Sequence, residues 1–265
     1  MYKTAQFSGW IPDHPDIRDH DYEIPTLKDR PAQVNLQGDF PQPYYQQDIN
    51  SCTANAIAGA FQFELKKQGL PHFDPSRLFL YYNQRRIQNS IEYDSGASLR
   101  DGMYCINHQG VCSEDQWPYF THEFAKKPFQ SCYDNAKKHK VIRYLRLDQT
   151  TDQLMNCLAE GHPFVFGFSV YESFFSPAKP GVIGVPKPSE QRVAGHAVIA
   201  VGYNDDDQTF TCRNSWGNSW GVDGYFTIPY KYVQDKQLSG DFWTIRLVSS
   251  KPDAGVTQTQ QNDRQ

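Results

Sequence analysis

The chain has 265 residues, of which 38% are hydrophobic and 14% aromatic, and its formal net charge is −4 at pH 7. This length and composition suffice for one large domain or two lobes with a sizeable core, and they argue against a largely disordered chain. The charge offers no basic surface for nucleic acid, and no apolar run approaches the roughly 20 residues that span a bilayer. We therefore expect neither a nucleic-acid partner nor membrane insertion.

The first 45 residues are rich in proline, aspartate and tyrosine and show no helical periodicity. Apolar side chains such as Trp10, Ile11 and Ile17 recur there, so we expect an extended N-terminal arm, residues 1–30, that packs on the rest of the protein. The opening segment "MYKTAQFSGW" lacks the basic head and apolar stretch of a secretory signal.

Three helices are predicted in the first half of the chain. Residues 52–68 place small and apolar side chains on one face, and Gly69 provides a helix end. The segments 75–87 and 98–110 read as two further helices. Cys52 therefore stands in the first turn of a helix.

After about residue 140, runs of β-branched and aromatic residues alternate with Gly, Pro and Asp. Four of these runs predict strands, at residues 162–171, 196–203, 209–216 and 224–230. The Asp-rich segment "NDDDQ" joins the second and third strands, which predicts a β-hairpin. Residues 251–265 are polar and poor in apolar side chains, so a disordered tail is expected.

The six cysteines and eight histidines show no metal-binding pattern. They contain no CxxC pair, no zinc-ribbon spacing and no HExxH motif, which are the patterns of common zinc sites. We therefore expect no metal and no cofactor.

Cys52 is a candidate nucleophile because it lies at a helix start. Unpaired N–H groups and the positive end of the helix dipole favour an anion there, and they lower the pKa of a thiol. The simpler alternative is a small buried residue, because free cysteine is among the most buried residue types.

In the predicted hairpin, His196 pairs with about residue 216, which brings Asn214 within reach of the imidazole. An amide oxygen at that place would fix the tautomer and direction of the ring. Taken singly, His196 could be a hydrogen-bonded core histidine and Asn214 a turn residue. Together with Cys52 they form a thiol, imidazole and amide set that suits nucleophilic catalysis.

Three segments resemble the active-site blocks of the papain-like cysteine peptidases: "QQDINSCTANA", "AGHAVIAVGY" and "RNSWGNSWGVDGYF". The order Cys, His, Asn along the chain is also that family's order. The likeness covers about residues 31–248, and the chain resembles bacterial members of the family that have a short N-terminal arm. It implies a two-lobed α+β fold, with a helical left lobe, an antiparallel β-rich right lobe and the active site in the cleft between them.

The resemblance implies a role for each residue of the site. Cys52 would be the nucleophile and His196 the general base, resting as a thiolate–imidazolium pair. Asn214 would orient His196, and Trp216 would shield their hydrogen bond from water. Gln46, six residues before the nucleophile, would help to bind the oxyanion together with the backbone N–H of Cys52.

The resemblance also implies where a peptide substrate binds. Gly96 would pair with the substrate backbone as an added strand. Leu99, Ala194 and Gly195 would adjoin the pocket for the second residue before the cut. The sequence shows no charge at that pocket, so we expect it to prefer apolar side chains.

The sequence departs from the family pattern at several positions. Ile49 stands where a cysteine usually precedes the nucleophile, and Cys132 lacks its usual disulfide partner. The familiar disulfides are therefore expected to be absent, which together with the missing signal favours a reducing compartment. Gln47, next to Gln46, leaves the register of the oxyanion residue open by one position.

We therefore predict a monomeric cysteine peptidase that hydrolyses peptides or proteins through an acyl-thioester intermediate. Residues 31–250 would form the peptidase domain, while residues 1–30 would either pack on it or act as a short pro-segment across its cleft. Two other functions stay open: a papain-like transamidase or deamidase acting on one protein target, and a catalytically silent binding module.

Overall fold

The computed structural model describes residues 9–14, 16, 19 and 29–250. The predicted tail, residues 251–265, lies outside the described residues. The α-helices are α1 Cys52–Lys67, α2 Arg77–Ile87, α3 Leu99–His108, α4 Gln130–Ala136, α5 Thr151–Ala159 and α6 Tyr230–Gln234. The β-strands are β1 Gln33–Asn35, β2 His139–Arg146, β3 Phe164–Tyr171, β4 Arg192–Asn204, β5 Thr209–Arg213, β6 Tyr225–Pro229 and β7 Ser239–Ser250.

The strands form one seven-stranded antiparallel sheet in the order β2-β7-β3-β4-β5-β6, with β1 paired to β4. The predicted hairpin is β4–β5, in which Asn204 lies opposite Thr209 and Ile199 lies opposite Arg213. One face of the sheet packs against α1, and the other face carries α5. This arrangement is the α+β fold that the sequence indicates.

The central helix α1 is buried on all sides from Cys52 to Leu65. It packs against α2 and α3 on one side and against β4 and β7 on the other. Gly69 ends the helix in a left-handed conformation at φ 64°, where its N–H donates to the carbonyl of Lys66. Burial all round explains why small residues prevail near its N-terminus, since they let the sheet and helices approach closely.

The described part of the arm crosses between the helices and the sheet. Trp10 forms a parallel bridge with Ala97, the residue two before α3. Ala97 N–H donates to the carbonyl of Gly9 at 2.9 Å, and Ile11 N–H donates to the carbonyl of Ala97 at 3.0 Å. On the sheet side, Trp10 N–H donates to the carbonyl of Gly195 on β4 at 3.3 Å. The arm is thus bonded to both sides of the cleft.

Among the described residues, no helix has the length and apolar character that crossing a membrane requires.

Candidate active site

Cys52 is the first residue of α1, and a polar cluster holds the chain just before it. The hydroxyl of Ser51 lies 2.5 Å from the Tyr119 hydroxyl and accepts a hydrogen bond from Asn55 Nδ2 at 3.0 Å. Ser51 is therefore engaged away from the helix start and does not cap it with its side chain. The backbone N–H groups of Cys52 and Thr53, in the first turn of α1, bond the thiol instead, which is an environment that favours a thiolate.

The N-terminal arm covers the Cys52 thiol completely. A Cβ atom placed on Gly9 would lie 2.5 Å from Cys52 Sγ and 2.8 Å from the carbonyl oxygen of Asn50. Only glycine can pass this closely over the thiol, and Cys52 is 0% exposed beneath it. In the described structure the cleft is therefore closed by the protein's own chain.

His196 on β4 and Asn214, directly after β5, meet across the hairpin. The distance from His196 Nε2 to Asn214 Oδ1 is 2.8 Å. The backbone N–H of Ser215 donates to the same oxygen at 2.8 Å, which fixes the orientation of the amide. Because that oxygen can only accept, His196 carries its proton on Nε2 and leaves Nδ1 to accept another.

Aromatic rings enclose the imidazole. Trp216 lies 5.0 Å from the His196 ring between centroids, and Phe168 and Phe174 lie at 5.8 and 6.4 Å. His196 is only 1% exposed as a result. The rings exclude water from the hydrogen bond to Asn214, which strengthens it.

With the arm in place, burial acts on the ionisation of both the Cys52 thiol and the His196 imidazole. It raises the pKa of the Cys52 thiol to about 12, against hydrogen bonds from the backbone of Ala197, Thr53 and Cys52 itself. It lowers the pKa of His196 to about 4, against the bond to Asn214. The closed state therefore favours a neutral thiol and imidazole, in contrast to the thiolate–imidazolium pair expected for the resting site.

Gln46 is buried, whereas the neighbouring Gln47 is exposed and has a positive φ of 57°. Gln46 Nε2 donates to the carbonyl of Ile49 at 3.0 Å, and its Oε1 accepts from Ser215 Oγ at 2.6 Å. An amide NH₂ group has two hydrogens, so this arrangement uses one and leaves a second for an oxyanion. The inward register favours Gln46 over Gln47 as the oxyanion residue.

The expected substrate residues do not all face the arm. Gly195 bonds the arm through its carbonyl, but Ala97, not Gly96, forms the paired strand. The N–H of Gly96 donates instead to the Tyr81 hydroxyl at 3.1 Å. The other two are buried: Leu99 at the start of α3 shares an apolar cluster with Trp10, and Ala194 belongs to a second cluster.

A charged residue that the sequence analysis missed lies in the same region. Asp241 on β7 is 6% exposed, and its Oδ2 accepts hydrogen bonds from Trp10 Nε1 at 2.9 Å and from the backbone N–H of Asp13 at 2.8 Å. The sequence showed no charge near Leu99, Ala194 and Gly195, whereas the structure places this buried carboxylate against Trp10, which is itself bonded to Gly195. No local signal in "LSGDFWT" marks this carboxylate, because only the pairing of β7 with β3 brings it to the cleft.

All six cysteines are free and buried. The Cys132 thiol donates to the carbonyl of Gln116 at 3.8 Å, and the neighbouring Cys132 adds to burial in raising the pKa of the Cys112 thiol. Among the described residues, no group of three or more His, Cys, Asp or Glu side chains could hold a metal ion.

Residues 46–239 match the family model for papain family cysteine proteases. The chain is 43% identical over 270 residues to the uncharacterized peptidase C1-like protein L477 of Acanthamoeba polyphaga mimivirus, covering 91% of this chain and 87% of that protein. It is also 27% identical over 191 residues to mouse cathepsin R, of which it spans 55%.

Solved structures agree with these matches. Xylellain, a cysteine protease from Xylella fastidiosa, superposes with a TM-score of 0.85 at 42% identity, covering 95% of this chain and 100% of that one. Procathepsin B S9 from Trypanosoma congolense superposes with a TM-score of 0.72 at 15% identity, covering 93% and 88%, and it supports the fold alone. The sequence, the fold and these relatives together show that the chain is a papain-family cysteine protease.

Proposed function

We propose that Cys52 is the nucleophile of this protease, that His196 is its general base and that Asn214 positions His196. The observation that carries this proposal is the double acceptance at Asn214 Oδ1, from His196 Nε2 and from the Ser215 backbone. That arrangement leaves Nδ1 of the imidazole free to act as a base. His196 lies on β4 next to Ala197, whose backbone bonds the Cys52 thiol.

The reaction would begin with transfer of the Cys52 proton to His196 Nδ1. The thiolate then attacks the scissile carbonyl carbon, and the oxygen takes up negative charge that Gln46 Nε2 and the Cys52 N–H stabilise. The imidazolium protonates the leaving amine as the C–N bond breaks, which leaves an acyl-thioester on Cys52. Water then adds to this thioester with His196 as base, releasing the acid and returning the thiol.

The same reaction needs Gly9 to leave the thiol, since the closed arm fills the place of the scissile bond. We therefore propose that the arm acts as a short pro-segment in addition to packing on the body. We also propose that residues 31–250 act as one peptidase domain, as a monomer and without a cofactor.

A peptide library incubated with the full chain, followed by mass spectrometry, tests the reaction. We expect pairs of cleavage products whose masses sum to the parent peptide plus one water, and none with Cys52→Ala. Intact peptides with shifted masses would instead indicate a transamidase or deamidase. If the peptides stay unchanged although iodoacetamide labels Cys52 in the same sample, the thiol is accessible but does not cleave them. That result would indicate a binding module and overturn the proposal.

A further inference from the structure

The indole of Trp10 fills a slot whose walls are glycines. A Cβ atom on Gly167 of β3 would lie 2.0 Å from the indole, and one on Gly195 of β4 would lie 3.3 Å from it. A Cβ atom on Gly240 of β7 would make ordinary contact at 3.8 Å. Three adjacent strands thus omit side chains where the ring lies, and Trp10 is 7% exposed. The slot is shaped for a large flat group.

The far edge of this slot is polar. Asp241 Oδ2 accepts the indole N–H of Trp10 at 2.9 Å, and the Asp241 side chain is 5% exposed. Arg146 Nη2 lies 3.5 Å from the other carboxylate oxygen, so the charge of Asp241 already has a cationic neighbour. The slot therefore offers a hydrogen-bond acceptor to a ring N–H. The guanidinium of a substrate arginine would instead bring a second positive charge beside Arg146.

The slot lies one residue from the reactive thiol. Gly9 covers Cys52, and the next residue, Trp10, enters the slot while the arm bonds both backbone groups of Ala97. A substrate strand drawn into the cleft can use the same N–H and carbonyl of Ala97 and the carbonyl of Gly195. Its side chain opposite Ala97 would then enter the slot that Trp10 leaves.

We propose that this slot, the Trp10 slot, selects substrates with a large flat side chain that carries an N–H donor at its far edge, and that Asp241 is the residue that recognises the donor. The indole of tryptophan is the side chain that fits. The inference rests on the proposed function, because it names the substrate class of the same site. It also replaces the apolar preference expected from the sequence.

The test uses the full chain with Trp10→Ala, which empties the slot. Peptidyl chloromethyl ketones alkylate a reactive cysteine when its sulfur displaces chloride and forms a thioether, so intact mass reports the rate without turnover. Four reagents differ only at the second residue before the reactive carbon: tryptophan, 2-naphthylalanine, leucine or arginine. The fraction of chains with an open arm is the same for all four and cancels from the ratios of their rates.

We expect the tryptophan reagent to alkylate Cys52 at least about tenfold faster than the naphthyl reagent, which has a similar ring system without an N–H. Asp241→Gly should bring that ratio close to one, because it removes the acceptor without straining the positive φ of 57° at this position. Asp241→Asn keeps an acceptor oxygen and tolerates the same φ, so it should retain most of the preference. Gly167→Ala should slow both ring reagents and spare leucine.

Equal rates for the four reagents, fastest reaction with arginine, or no reaction with any of them while iodoacetamide labels Cys52 would each overturn the proposal. These results differ from failure of the proposed hydrolysis. If peptides are cleaved but the reagents react equally, the hydrolysis stands and the slot fails. If the reagents react in the expected order but no peptide is cleaved, the slot stands and the hydrolysis fails.

Discussion

The hydrogen bond between His196 and Asn214 has a direction that the neighbouring backbone sets. Because Ser215 N–H donates to the same amide oxygen, turning the amide over would place two donors against each other. The histidine tautomer is therefore decided by a peptide N–H, which cannot titrate. This explains how a neutral imidazole can keep its basic nitrogen available for the thiol even in the closed state.

At Gln46 the same reasoning gives a prediction. If Gln46 binds the oxyanion as proposed, Gln46→Ala should lower kcat by about 10²–10³, because the amide would meet the oxygen only once charge develops on it. The substitution should also lower stability by about 1–3 kcal/mol, since the Ile49 carbonyl and Ser215 hydroxyl lose a buried partner. Steady-state kinetics and thermal melting measure the two effects separately.

Gln47→Ala is the matched control, because Gln47 is exposed whereas Gln46 is buried. It should leave both kcat and the melting temperature close to those of the parent chain. A crippled Gln47→Ala beside an active Gln46→Ala would contradict the assigned register.

On the scale of an element, the arm is held over the cleft by contacts on both sides. Gly9 lies against Cys52, Trp10 fills the slot, and Asp19 bridges Arg100 and Arg146 from the two sides of the cleft. The segment that closes the site is extended and belongs to none of the helices or strands of the described residues. Its backbone pairs with Ala97 as an added strand would, through the carbonyl of Gly9 and the N–H of Ile11.

Gly9→Val should displace the arm, since its side chain would collide with Cys52 Sγ and the Asn50 carbonyl. We expect Cys52 to react with limiting iodoacetamide at least about tenfold faster than in the parent, because the buried thiol becomes hydrated and its pKa falls. Peptide mapping after alkylation identifies the modified cysteine.

Gly38→Ala serves as the control, because no atom lies within 4 Å of the added Cβ. Its labelling rate should equal that of the parent. Preferential labelling of another cysteine in Gly9→Val, or an unchanged rate at Cys52, would show that the arm does not gate the thiol.

For the whole molecule, the charges under the arm predict a dependence on pH. Burial and the nearby Asp241 raise the pKa of Asp13 to about 7, although Arg100 opposes them. Burial also raises the pKa of Asp241. At Asp19, hydrogen bonds from Arg100 and Arg146 outweigh burial and hold the pKa below its usual value.

The docked arm thus binds a proton at the Asp13 carboxylate. When the arm is displaced, the pKa of Asp13 returns close to its ordinary value of 3.8 and the proton is released. This contribution to docking is fully present below that ordinary value and is lost as the pH rises to about 7. We therefore expect the arm to open as the pH rises. The ratio of open to docked chains should increase by up to about tenfold per pH unit within this window.

The pH profile of Cys52 alkylation in the parent chain, divided by that in Asp13→Asn, measures this effect. The ratio removes the ionisation of the thiol and imidazole, which both chains share. It should rise between about pH 4 and 7 and stay level above that range. A flat ratio would show that Asp13 does not control docking.

Local patterns in the sequence were enough for the elements that carry Cys52, His196 and Asn214. The three long helices and the β4–β5 hairpin begin and end within a few residues of their predicted bounds, apart from the longer β4. Helical periodicity and an Asp-rich turn are properties of adjacent residues, so they survive in the sequence alone. The resemblance to the family also rests on the segments around Cys52, His196 and Asn214.

The tertiary structure alone decided what surrounds them. Strands β2 and β7, missing from the sequence prediction, pair with each other about a hundred residues apart along the chain. That pairing, with β7 against β3, brings Asp241 to the cleft, and the arm reaches it from the opposite end of the chain. Strand pairing over such distances depends on burial and hydrogen bonds between segments that no local pattern connects. The closed thiol and the charge at the Trp10 slot therefore become visible only when the chain is folded.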